Sequence, residues 1–401
     1  MTIAKNKTIA LVILSAFLFN IVAPDAFACW WKGLPSASPE ITGTPQGQGG
    51  YNDSLPNQPS NIADEVYLHN GDFVYERKDL VIPSLGIDTE LEFTYKSQSR
   101  FNGRFGLGWE FNYNKRIVAL ANGDVYYIDG EGRQNRFAYI DGVRYISPAE
   151  VFDTLTQNQD GTYTLTQKHG TRYNFNTDGT LKEIVDRNNN KLTFSYDPQG
   201  KLPIIGVPLY TNDPLTPRLI ANQYKLTKIT DTAGREIALT YDANGRLSKI
   251  QDFAQREISY SYDGLGHLAS VTDPGGNTTV YAYDSNRNLY TITDAKDNTF
   301  LTNTYNPNDQ VIAQVFGSGA FFFSYDTTNK KTEFTDRKGN VWAYYFDKNG
   351  NPTKIIDPQG NETLKTYDTN NKMLLTAVTY PKGNSILYDY DTKGSLIQTT
   401  Q

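Results

Sequence analysis

The chain has 401 residues, a net charge of −6 and 20% charged residues, with no basic run of the kind that engages nucleic acid or an anionic membrane surface. A single cysteine excludes an internal disulfide framework. Two methionines beside 28 tyrosines, 20 phenylalanines and 32 glycines point to many short strands and tight turns rather than helices, in two domains or one large β architecture.

Lys5 and Lys7 precede an apolar stretch over residues 9–22, interrupted by Ser15 and Asn20, and Ala26-Phe27-Ala28 fits a small-residue cleavage pattern. Residues 1–28 are therefore expected to be a signal peptide, because the stretch is too short, and too soon followed by Pro24 and Asp25, for a membrane span. Secretion or placement in the bacterial cell envelope is the expected fate. Cys29 comes directly after and resembles the acylated first residue of bacterial lipoproteins. That box carries an aliphatic residue where Ala26 stands and a small one where Phe27 stands, so plain cleavage after Ala28 is expected and a lipid anchor at Cys29 is the alternative. Residues 29–63 are rich in Pro, Gly, Ser and Gln and read as a tether.

Over residues 64–180 strand signals appear without a fixed period. Leu91, Phe93 and Tyr95 alternate, and Gly123, Gly130 and Gly142 mark turns, which indicates antiparallel hairpins. This segment is expected to be an irregular β cap on the C-terminal part of the chain, since the terminal unit of a repeat array otherwise exposes one side.

From residue 181 to residue 401 the chain keeps a beat of 21 residues. Aspartates stand at Asp231, Asp252, Asp273, Asp294, Asp336 and Asp357, with Val315 out of pattern. An aromatic comes ten residues after each beat, at Tyr241, Tyr262, Tyr283, Tyr325, Phe346, Tyr367 and Tyr388, with Tyr305 displaced by one. Each unit holds two turn signals. The first is Tyr-Asp-x-x-Gly, carried by Tyr196-Asp197, Tyr241-Asp242, Tyr262-Asp263, Tyr283-Asp284, Tyr325-Asp326, Tyr367-Asp368 and Tyr390-Asp391. Its fourth position after the aromatic is Gly200, Gly245, Gly266, Gly350, Gly394, Asn329, Asn371 or Asp309, residues that tolerate positive φ; Arg287 is the exception. A type I turn closed by a left-handed residue and a bulge is expected. The second signal is Asp-x-x-Gly-Asn, as at Asp273 to Asn277, whose carboxylate accepts the N–H groups of the turn.

Between the turns, Ile258, Tyr260 and Tyr262, or Trp342, Tyr344 and Phe346, alternate as in half-buried strands. A ladder of aromatics from successive copies is expected across the sheet, each pair contributing about 0.2–1 kcal/mol. Pro203, Pro208, Pro214 and Pro217 interrupt the beat, so residues 203–223 are expected to loop out.

Tyr-Asp-x-x-Gly-x-Leu followed by Asp-Pro-x-Gly-Asn at this period resembles the bacterial RHS or YD-repeat proteins. Asp79-Leu80, Ile82-Pro83, Arg104-Phe105-Gly106-Leu107-Gly108-Trp109 and Gly123-Asp124 resemble the module that precedes the repeats in that family, so the resemblance spans residues 64–401. It implies an all-β chain: a strip of antiparallel β-hairpins spiralling into a hollow shell that encloses or presents another polypeptide in larger relatives. This chain resembles a short member, with the module and about nine repeats but no closing motif or toxin; a partial shell is therefore implied.

Chemistry is mostly absent from the pattern. His69, His169 and His267 have no paired spacing and read as surface residues, and no metal, nucleophile or phosphate-loop motif is present. Asp186 to Asn190 and Asp347 to Asn351 resemble the start of calcium loops but lack glycine at the sixth position. No cofactor, metal or catalytic residue is expected. The reading is a non-enzymatic scaffold that binds or displays a protein or glycan, with a partial shell holding a passenger from another chain as the alternative and a glycan hydrolase a distant third. Self-association through the edge strand of the last hairpin is also expected.

Overall fold

The structure, a computed structural model, describes residues 66–401 except 100, 141, 143, 149–150, 198–223, 370–373 and 393. The signal peptide, Cys29, the tether and the insertion at 203–223 lie outside the described residues.

Every regular element among the described residues is a β-strand. The N-terminal module contains a three-stranded sheet (Val74–Ile82, Thr89–Lys96, Trp109–Phe111), a short hairpin (Asn102–Gly103, Gly106–Leu107) and a four-stranded sheet running from Arg116 to Ile146. Next comes a single 22-stranded antiparallel sheet, from Thr154–Gln157 to Leu396–Thr400, in which each strand pairs with its neighbours in sequence. The sheet thus starts before residue 181, in hairpins too irregular to carry the beat. The strand Lys191–Asp197 pairs directly with Lys225–Thr230.

Both turn signals build the same turn. In the first kind, Asp242 N–H donates to Arg246 C=O at 2.8 Å and Gly245 N–H to Asp242 C=O at 3.0 Å; in the second, Asp273 bonds Asn277 C=O at 2.9 Å and Gly276 bonds Asp273 C=O at 3.0 Å. This is a type I turn plus a bulge, and its fourth residue is left-handed. Arg287 obeys the rule despite its side chain, at φ 73°. Asn329 does not: the left-handed residue there is Lys330, at φ 48°, because that turn is one residue longer and its hairpin pairs without a bulge.

The irregular beats have local causes. Tyr305 is late because an extra residue bulges between the pairs Ile292–Leu301 and Thr293–Thr299. Val315 replaces an aspartate because its hairpin closes through Gly317 and Ser318, with Phe316 opposite Gly319, and needs no capping carboxylate. At the end, Asp368 N–H bonds Leu374 C=O in a turn two residues longer than the others. That moves the repeat tyrosine from Tyr388, where the 21-residue count lands, to Tyr390, which the Tyr-Asp signal marks.

One sheet face is buried, as the strands Glu236–Tyr241 and Glu257–Tyr262 show by regular alternation. Leu247, Ile250, Leu289, Ile292 and Val311 are at most 1% exposed on it. The expected aromatic ladder does not form between successive copies, because each copy contributes two strands and equivalent residues stand about 10 Å apart. Rings meet where the intervening strand also carries one, as at Phe323 and Phe334, with centroids 5.6 Å apart.

The N-terminal module is not an end cap. It lies over the buried face, with ring contacts from Tyr113 to Phe194 (5.1 Å), Phe93 to Tyr260 (5.7 Å), Trp109 to Tyr281 (5.5 Å) and His69 to Phe346 (6.3 Å). A one-sided apolar sheet needs such a second layer along its length.

Candidate functional site

The signature tyrosines hold successive repeats together. Each sits at or next to the end of a strand, and at all of them but Tyr325 the pairing is bulged there. Its hydroxyl then donates to the carbonyl of the residue just past the preceding repeat's turn: Tyr241 to Leu226 (2.8 Å), Tyr262 to Leu247 (2.8 Å), Tyr283 to Leu268 (3.0 Å), Tyr367 to Pro352 (3.1 Å) and Tyr390 to Leu375 (2.9 Å). Tyr305 and Tyr325 do the same to Leu289 and Val311, and Tyr196 bonds the backbone of Leu181. Burial raises the pKa of Tyr196, Tyr241, Tyr262, Tyr283, Tyr305, Tyr325 and Tyr367. The aspartates close their own turns. Asp242, Asp263, Asp284 and Asp391 each accept the N–H four residues on, at 2.8–2.9 Å, and Asp326 accepts that of Asn329 at 3.0 Å. Asp368 follows the strand Glu362–Tyr367 and opens its longer turn, and Asp197 ends its strand, paired with Lys225. The repeat residues are therefore brought into register, but not into a common reactive centre.

Asp186 and Asp347 likewise accept two turn N–H groups each through Oδ1 and an asparagine amide through Oδ2. Among the described residues, no group of three or more His, Cys, Asp or Glu side chains has a metal-holding arrangement. Of the histidines, His169 is exposed, but His267 is buried, with Nδ1 2.8 Å from Asp263 Oδ2 and its ring 4.7 Å from that of Tyr283. His69 is half-buried, and desolvation lowers its pKa to about 4. The surface reading thus fails for two of the three, whose turns are covered by neighbouring repeats or by the module.

The seam between module and sheet carries a polar network that periodicity could not reveal. Arg77 pairs with Asp79 at 2.5 Å and reaches the Tyr281 hydroxyl, while Tyr260 donates to Asp79 at 2.5 Å. Burial pushes the Asp79 carboxyl up, and Arg77 and Tyr260 oppose that shift. Arg104 donates to Gly245 C=O at 3.0 Å and accepts from Leu247 N–H at 2.9 Å, the Trp109 indole donates to Tyr283 at 2.9 Å, and Leu289 N–H donates to the Tyr95 hydroxyl at 2.9 Å. Asp79, Arg104 and Trp109 belong to the short motifs that carry the family resemblance, and this docking is what those motifs do.

At the edge formed by the Tyr-Asp turns lies an open cleft of about 240 Å³, lined by His69, Gln310, Tyr325, Thr327, Phe346 and Gly350 together with Lys330, Lys331 and Lys348. Its two carboxylates are already engaged: Asp326 by Asn329, and Asp347 by Asn349 and Asn351. Lys331 is tied to Glu333 at 2.6 Å. Lys330 and Lys348 are exposed.

Residues 63–137 match a domain of unknown function (DUF6531), residues 218–315 match the Teneurin YD-shell, and residues 305–362 and 346–385 match the RHS Repeat. The tRNA3(Ser)-specific nuclease WapA of Bacillus spizizenii is 26% identical over 194 residues, 44% of this chain and 8% of that protein. The tRNA nuclease WapA of Bacillus subtilis is 27% identical over 132 residues, 33% of this chain and 6% of that protein. The chain thus spans less than a tenth of the length of the curated relatives it matches. Among solved structures, TcdB2-TccC3 without its hypervariable C-terminal region aligns with 87% of this chain and 22% of its own, at 10% identity and a TM-score of 0.37. The Tc holotoxin pore of Photorhabdus luminescens aligns with 78% and 22%, at 13% identity and a TM-score of 0.33. The family matches fall on the module and then on the repeats, in the order in which the structure lays them out, and the chain is an RHS/YD-repeat protein.

Proposed function

We propose that this chain is an exported, non-catalytic scaffold that binds or displays a protein or glycan at the cell surface or outside the cell. The observation that carries this reading is the internal use of the repeated polar groups: the tyrosine hydroxyls bond carbonyls of the preceding repeat and the aspartates bond their own turns. What the array offers outward is surface, in the form of turn edges, the outer sheet face and the last strand, Leu396–Thr400, whose residues are all exposed. The test is affinity capture from the producing cell with the mature chain as bait. One co-purifying polypeptide or glycan supports the reading; a bait that turns over a captured molecule removes it.

A second reading is a shell segment of a toxin system whose inner face holds a passenger from another chain. It is favoured by the nuclease names of the WapA relatives and the toxin names of the structural neighbours. Under it, the captured molecule is a small polypeptide encoded beside this gene together with an immunity partner.

A further inference from the structure

We propose that the outward face of the sheet from Val311–Phe316 to Ser385–Tyr390 is a dimerisation surface, on which a second copy of this chain packs face to face about a two-fold axis. The inference goes beyond the scaffold reading and does not depend on it. Val315, Phe322, Val341, Leu364 and Leu387 point away from the core and are between 36% and 48% exposed. They form one oblique stripe, because Val315 pairs with Ala320, Ala343 with Ile356 and Ala377 with Leu387, so that apolar side chains fill the gaps between them. A contiguous apolar surface of this kind marks an interaction site, whereas single exposed apolar residues do not. The repeat fold does not require it. Three residues before the repeat tyrosine stand Ala238, Ser259 and Thr302 in three copies, against Phe322, Leu364 and Leu387 in later ones, and the earlier Val280 is isolated between Ser270 and Thr293.

Charge and size favour a second copy as the occupant. The whole chain carries a net charge of −6, so two copies repel each other unless they meet on a neutral surface. Here the charges that border the middle of the stripe cancel: Lys331 pairs with Glu333 at 2.6 Å and Lys354 with Glu362 at 3.4 Å. A face whose charges are already paired offers a charged partner little to hold, but it meets its own image without repulsion, as an isologous contact requires. The stripe crosses eight strands. From the strand spacing and the reach of two outward side chains per strand it is about 35 Å long and roughly 15 Å wide. Two such faces bury roughly 1,000 Å² together, the lower bound for a specific interface, so a weak and concentration-dependent dimer is expected.

The test is sedimentation velocity of the full mature chain from low to high micromolar concentration, under reducing conditions so that Cys29 does not link copies. The mass is expected to rise from that of a monomer towards twice that value. Leu364→Asp and Phe322→Asp, each placing a charge at an outward position of the stripe, are expected to weaken association at least tenfold. Their urea midpoints, measured where the parent is monomeric, are expected to stay unchanged. Ser259→Asp, at the equivalent position of an earlier repeat, is expected to associate as the parent does. So is Thr399→Lys, whose inward-facing lysine blunts the edge of the last strand. A monomer throughout the range, equal loss in Ser259→Asp, or loss in Thr399→Lys with none in Leu364→Asp overturns the assignment. A chain that stays monomeric but binds neutral phosphatidylcholine vesicles, or another protein, through Leu364 also overturns it.

Discussion

At the scale of single residues, the same two side chains do the same two jobs in copy after copy, and exceptions show what each job requires. Removing the hydroxyl in Tyr262→Phe leaves the buried Leu247 carbonyl short of a donor and is expected to cost about 1–2 kcal/mol in urea unfolding. An unchanged midpoint would mean that the bond contributes nothing. Arg287 adopts the left-handed conformation that its equivalents Gly245 and Gly266 adopt without strain, at φ 73°. Arg287→Gly is therefore expected to stabilise the chain by about 1 kcal/mol, against the usual trend for glycine substitutions. Lys365 occupies the inner-face position held by Tyr260, Tyr281, Phe323 and Tyr344 in other repeats, and burial lowers its pKa. The penalty on its charged form acts below that lowered value and fades as pH rises from there to the ordinary lysine range. Lys365→Leu is expected to raise the melting temperature at pH 7 and to lose its advantage under alkaline conditions.

At the scale of the hairpin, the turns were legible because their chemistry is local: aspartate, two free positions, a residue tolerant of positive φ. Bulges and loop length were not, and so the 21-residue count lands on Tyr388 where the Tyr-Asp signal and the structure both mark Tyr390, and the turn signal named Asn329 where Lys330 turns. Slips of one or two residues are invisible to a count but decide which side chain faces the core. The element also carries a pH signature. Tyrosines from Tyr196 to Tyr367 hold their protons more tightly in the fold than the ordinary value near 10, because burial disfavours the phenolate. Their raised values add stability that is complete below about pH 10 and is lost as pH climbs from there towards the folded values. Alkaline titration monitored at the tyrosinate absorbance is expected to show these rings ionising together, in the same step as the loss of β circular dichroism. Gradual ionisation of a still-folded chain would show that the rings are open to solvent.

At the scale of the whole chain, the sheet order came directly from the repeat, but the placement of the module did not. Contacts such as Arg104 to Gly245, 141 residues apart, leave no periodic trace, and a terminal cap is the natural expectation for an array. The resemblance motifs pointed at the right residues without disclosing their partners. Trp109 is fully buried and bonds Tyr283, so Trp109→Ala is expected to cost about 3–5 kcal/mol and to speed amide exchange in Glu257–Tyr262 and Thr278–Tyr283, with the repeats after Glu362 unchanged. Equal acceleration along the whole array would mean that the module does not cover the face locally. The central claim, that this wall holds a molecule without transforming it, is tested most directly by the mass of whatever co-purifies with the mature chain, recorded before and after prolonged incubation with fresh bait. The account predicts one partner of unchanged mass; a partner cleaved or otherwise altered by the chain would contradict it.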